Sequence, residues 1–250
     1  ITELTPPIIE KIAEGARVRW NLSADAPIDN MVNVLENQGA IVTCFDGVSE
    51  KVDALSVNRK YPIIIRNTAK ESVCRMRFDL AHECGHLFMH DGIETGCKQT
   101  EREADAFASA FLFPRKSFAS EFPACLNFDG SFNWKKIYDL KVRWKVSAKA
   151  IIFRAHFLGF INAQQYRSAN VWFSQTRQSR QEKLDDILEM EEPHILKESI
   201  IVMKEHLGVT FKMMADKLGV KPVLLASVTG MEYKETASDI YDDVVVPFRF

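Results

Sequence analysis

Two histidines four residues apart, with a glutamate directly after the first, constrain this chain more than any other feature: His82-Glu83-Cys84-Gly85-His86. At 3.6 residues per turn, positions 82 and 86 share one helix face about 6 Å apart, so both rings can reach a single ion. Glu83 lies some 100° round the same helix, where it can touch a water on that ion without ligating it. Val73, Met76, Leu80, Cys84 and Leu87 cluster on the opposite face, so the histidines point away from the packed side. Two histidines do not complete a catalytic zinc site; a third protein ligand must come from an element packed against this helix.

His90 continues the four-residue ladder but sits roughly 12 Å along the axis from His82, too far for one ion, and is read as a bystander. Cys84 is read as a packed thiol, and Cys97 as a remote candidate ligand. The third ligand is sought in "TEREADAFASAFLFP" (100–114). There Glu101 and Asp105 share a face with Ala104 and Ala108, whose small side chains permit close helix approach. Thr100 and Glu103 match a capping box, which gives Glu103 a role at the helix start. The expected ligands are therefore His82, His86 and Glu101, with Glu103 as the alternative third ligand. Glu83 is the expected catalytic base, and Asp105 is placed to hydrogen-bond a ligand histidine.

The rest of the chain reads as α+β, mostly helical with a small sheet. Helices are predicted over 6–20 and from about 28 to 37, then strands over 40–45, 52–57 and 61–67. A capping box at Thr68–Glu71 opens the histidine helix, which runs to His90; Ser147 caps a later one. Expected domains are 1–165 for the metal-site domain, 166–192 for a linker centred on the polar "QTRQSRQEK", and 193–250 for a helical C-terminal region. In that region "TFKMMADKLGVKPVLLASVTG" imitates a degenerate helix-turn-helix, but its second half offers one lysine and almost no base-reading side chains. It is read as packing or partner-docking helices. No apolar run approaches the roughly 18–20 residues of a membrane span, the N-terminus lacks a secretory leader, and five unpaired cysteines suit a reducing compartment. A cytoplasmic location without membrane contact is expected; the non-Met first residue suggests a fragment.

A net charge of −2 hides an asymmetry. Residues 131–183 carry 11 Lys/Arg against 2 Asp/Glu, interleaved with aromatics, whereas residues 184–250 carry 7 against 13. Such a basic block can meet phosphates, or it can be the solvated face of an amphipathic helix pair. The second reading is preferred, with DNA binding weak or absent.

"RMRFDLAHECGHLFMH" followed by "EREADAFASAFLFP" resembles the paired signature of the ImmA/IrrE metallopeptidases. "RVRWNLSADAPIDNMVNVLENQGAIV", "DALSVNRKYPIII", "LKVRWKVSAKAIIFRAHFLGFI" and "EMEEPHILKESI" are similar to other parts of the longer members. The resemblance implies a gluzincin-like zinc endopeptidase that cleaves a protein substrate, a helix-turn-helix repressor, and so relieves repression of a stress response or of mobile elements. Zinc is the implied cofactor, with Mn2+ tolerated by the same donors. Many relatives carry a helix-turn-helix domain ahead of the peptidase, which is not present in these 250 residues. Asn58, Tyr61, Arg75 and Arg77 are candidate transition-state donors, and "DALSVN" is a strand that either pairs with extended substrate or is covered. The alternative reading is a metallopeptidase-fold regulator, or a toxin–antitoxin component, that works by binding protein or DNA.

Overall fold

The computed structural model describes residues 4–45, 54–67, 72–178 and 181–233. It is α+β and mostly helical, with one three-stranded sheet among the described residues. The chain divides into two compact units, Ile1–Pro193 and His194–Phe250.

The first unit opens with α1 (Pro6–Arg19), whose prolines occupy the first turn, where no backbone N–H is needed. Ile9, Ala13 and Ala16 form its buried stripe. Next come α2 (Met31–Asn37), capped by the Asn30 side chain, and the strands β1 (Ile41–Phe45), β2 (Ala54–Val57) and β3 (Ile63–Asn67). The sheet order is β1-β3-β2, with β1 parallel and β2 antiparallel to β3. That order leaves β2 at an edge. The histidine helix α3 (Val73–Met89) packs on β2 and β3 and against α4 (Lys98–Leu112), which also carries α1. Phe88, Phe107 and Phe111 stack through the α3–α4 region at centroid spacings of 5.6 Å. Beyond it lie α5 (Arg115–Glu121), a 3-10 turn at Phe122–Cys125, α6 (Trp134–Trp144), α7 (Ala148–Phe157) and α8 (Ala163–Gln175). Ser147 does cap α7, accepting from the Ala150 N–H at 3.0 Å.

Three expectations change. The Thr68–Glu71 box lies outside the described residues, and α3 begins at Val73 after Ser72. The second box is not a cap at all. α4 starts three residues earlier than expected, at Lys98 after Cys97, and the Thr100 hydroxyl, one turn inside, donates to the Cys97 carbonyl at 3.0 Å. The stretch 166–192 is not a linker in character either: most of α8 lies in it, and residues 181–193 form a strap tied down by acids. Glu182 and Asp185 accept from the fully buried Lys141 ammonium at 2.9 and 2.6 Å, and Glu182 also accepts from the Ala148 N–H that opens α7. Glu191 caps α2 through the Met31 N–H at 2.7 Å and pairs with the buried Arg77 of α3. Buried charges persist only when paired, and each of these partners is far away in sequence, where no local pattern reveals it.

The second unit contains α9 (Ile195–Leu207), α10 (Phe211–Leu218) and α11 (Pro222–Thr229). Thr210 caps α10, and Gly219, at φ +66°, makes the left-handed turn between α10 and α11.

Candidate metal centre

The site depends on how closely α3 and α4 approach. A Cβ built on Gly85 would lie 3.1 Å from the Ala104 Cα and 3.3 Å from its carbonyl oxygen. Glycine at 85 and alanine at 104 therefore let the helices touch backbone to backbone, between the two histidines in sequence. This contact brings the first turn of α4 over the histidine face.

His82, His86 and Glu101 each offer a ligand atom there, and the three atoms lie within 4.8 Å of one another. The two Nε2 atoms are 3.0 Å apart; Glu101 oxygens stand 3.2 Å from that of His82 and 3.4 Å from that of His86. Glu101 also accepts from the Gly96 N–H at 3.1 Å, which steadies the carboxylate from the α3–α4 loop. Asp105, one turn further along α4, sits 2.9 Å from His82 Nδ1. A carboxylate only accepts, so neutral His82 carries its proton on Nδ1 and presents its Nε2 lone pair to the cluster. Burial alone would lower the His82 pKa, but the Asp105 hydrogen bond and charge, with Glu83 and Glu101 behind them, hold it above the ordinary value. His86 is pushed down to about 4, by burial first and then by the neighbouring His82, so it is neutral at pH 7. Two imidazoles and one carboxylate are a donor set used by catalytic zinc, each imidazole binding through a bare nitrogen.

Glu83 is buried beside His82, and burial raises its pKa; the Ser56 side chain and backbone on β2 hydrogen-bond the carboxylate and work against that rise. All of these groups open on one cleft of about 820 Å³, lined by the edge strand β2 at Ala54, Leu55 and Ser56, by Arg75 and Phe78 of α3, and by Lys149 of α7.

The structure thus brings together the five residues singled out from the sequence: His82, Glu83, His86, Glu101 and Asp105. It separates the transition-state candidates. Arg75 lines the cleft, but Arg77 is buried against the Ile28 carbonyl and Glu191, and Asn58 donates to Asp91 at 2.7 Å. Tyr61 is exposed beneath Lys60 and is not among the residues lining the cleft. Sequence reasoning does not reach Ser56 or Lys149, and nothing local marks either. His90 lies outside the ligand cluster, but its ring is buried and stands 2.9 Å from His86. Its place on the same helix face as His86 is a signal in the sequence, hidden when direct ligation is the only role considered. Glu103 is neither cap partner nor ligand, and pairs with His90 at 2.9 Å. Cys84 is fully packed, with its thiol pKa pushed up by burial; Cys97 is exposed and outside the ligand cluster.

Residues 35–156 match the family model described as the IrrE N-terminal-like domain, Peptidase_M78. This segment belongs to that family. The match spans the sheet, both site helices and α7, so every residue of the cluster lies inside the IrrE N-terminal-like domain, and the fold is that of a metallopeptidase. No curated protein matches the chain. A solved structure titled Mycobacterium tuberculosis transcriptional regulator is similar over 58% of this chain at 13% identity and a TM-score of 0.43. The aligned region spans 45% of that structure's own length. Among the described residues, no helix is long and apolar enough to cross a membrane.

Proposed function

We propose that this protein is a zinc-dependent endopeptidase whose substrate is a protein, of the helix-turn-helix repressor class that the family resemblance implies. The observation that carries the reading is the convergence of His82, His86 and Glu101 beside a buried glutamate, in a cleft flanked by a strand edge. Zinc held by those three side chains would supply Lewis acidity toward a carbonyl and lower the pKa of a water to roughly 7.

The chain's own groups account for the remaining work. Glu83 accepts a proton from the attacking water and returns it to the leaving amine nitrogen; its raised pKa brings it nearer to the working pH of such a shuttle. Asp105 fixes the orientation of His82. An extended peptide is the natural ligand for the β2 edge, which has no second neighbouring strand among the described residues. Among the described residues, Arg75 and Lys149 are the Lys/Arg side chains lining the cleft, and either can stabilise developing negative charge. The DNA-binding alternative rests on the basic block, and part of that block is paired internally. Lys141, Arg143, Lys145 and Arg154 all pair with carboxylates.

The test is to incubate zinc-loaded protein with helix-turn-helix repressors of its source and map fragments by mass. Discrete cleavage by wild type, slowed by orders of magnitude in Glu83→Gln, is expected. Intact repressor, with zinc bound to wild type, would remove the peptidase reading.

A further inference from the structure

His90 caps the C-terminus of α3, and its side chain is 1% exposed. Its Nδ1 lies 2.9 Å from Nδ1 of His86, and its Nε2 lies 2.9 Å from Oε2 of Glu103. The other Glu103 oxygen accepts from the Leu4 backbone N–H at 2.9 Å and from the Gln99 amide at 3.1 Å. The chain His86–His90–Glu103 is thus buried at its far end and anchored on the segment ahead of α1. No local reading of the sequence assigns it a purpose.

The direction of these hydrogen bonds follows from which atoms can donate. A carboxylate receiving two N–H groups on one oxygen is an acceptor on the other, so His90 donates from Nε2. A neutral imidazole that donates from Nε2 has a lone pair on Nδ1. The contact between the two rings then needs the proton on His86 Nδ1, which leaves the His86 Nε2 lone pair facing His82 and Glu101. Free histidine in water prefers the opposite tautomer, with its proton on Nε2, where it would block a ligand position.

We propose that His90 and Glu103 are positioning residues: they lock His86 in the Nδ1–H tautomer and so present its Nε2 lone pair to the metal site. This rests on the metal-site reading above. The two histidines would then be oriented by different means, His82 directly by the half-exposed Asp105 carboxylate and His86 through a buried two-residue relay.

The first test needs no metal. In metal-free wild-type protein at neutral pH, 15N shifts should show His86 protonated at Nδ1 and bare at Nε2; the reverse tautomer would overturn the proposal. The second is zinc titration of variants. His90→Phe fills the ring's space without an acceptor and should weaken zinc by about 10–100-fold, and Glu103→Ala should do the same. His90→Asn, whose side-chain oxygen can stand near the Nδ1 position, should recover most of that loss. A purely space-filling role gives the opposite order, with Phe better than Asn, and would also overturn the proposal. His86→Ala separates the two levels. If it loses zinc while His90→Phe binds like wild type, the relay fails and the metal site stands. If His86→Ala itself keeps full affinity, the metal site is wrong.

Discussion

Two regions of this molecule are dense in charge, and they use it in opposite ways. Between α3 and α4, side chains converge on one point: His82, His86 and Glu101 within 4.8 Å, with Glu83 alongside. In the basic block from 131 to 183, four of the eleven cations are dispersed among separate carboxylates. Lys141 takes Glu182 and Asp185, Arg154 takes Glu10, Arg143 takes Glu121, and Lys145 takes Asp29. A count of charged residues ranks the second region higher, and the structure reverses the ranking. What marks the candidate site is several donors converging on one shared cleft; what marks the scaffold is cations set separately against their own carboxylates.

The comparison breaks most severely if the converging cluster tolerates loss of a member. His82→Ala and His86→Ala should each abolish stoichiometric zinc, read by metal analysis of the dialysed protein. Glu83→Gln should keep zinc and fold while cleavage of the repressor falls by about 10²–10⁴, the usual contribution of a positioned acid–base group; wild-type turnover would remove its assigned role. In the scaffold region, Lys141→Met leaves Glu182 and Asp185 buried without their cation. It should cost about 3–5 kcal/mol of stability by denaturant titration. Arg143→Ala, breaking a half-exposed pair, should cost no more than about 1 kcal/mol. The smallest effect expected is on nucleic acid: anisotropy with duplex DNA at physiological salt should give a Kd no tighter than about 10⁻⁶ M. Nanomolar binding there would mean the basic block is a surface after all.

How much of this is legible in the sequence follows the range of the interactions. His82, Glu83 and His86 are one turn apart, and Glu101 and Asp105 are one turn apart, so helical period alone places each set on a face. That the two faces meet follows from the need for a third ligand. Glu103 misleads because Thr100 and Glu103 fit a capping pattern while the helix in fact starts at Lys98; the pattern is indifferent to a shift of one turn. The strap misleads for the opposite reason. "QTRQSRQEK" is polar and unpatterned, and the acids in it and after it have partners tens of residues or more away, which composition cannot register. The edge strand falls where the sequence predicts it, but its Ser56 contact to Glu83 depends on the docking of the sheet against α3.

That strap has a consequence for how the protein is made. The helix bearing the histidines is clamped by an ion pair between Arg77 and Glu191, 114 positions apart. The first N–H groups of α2 wait for the same glutamate, 160 positions after Met31. At usual synthesis rates the ribosome needs on the order of ten seconds to cover the first of these separations. Throughout that interval Arg77 lacks its carboxylate partner, although all three candidate zinc ligands are translated well before Glu191. A nascent chain would therefore hold the ligands for its ion before it holds the residue that locks their helix in place.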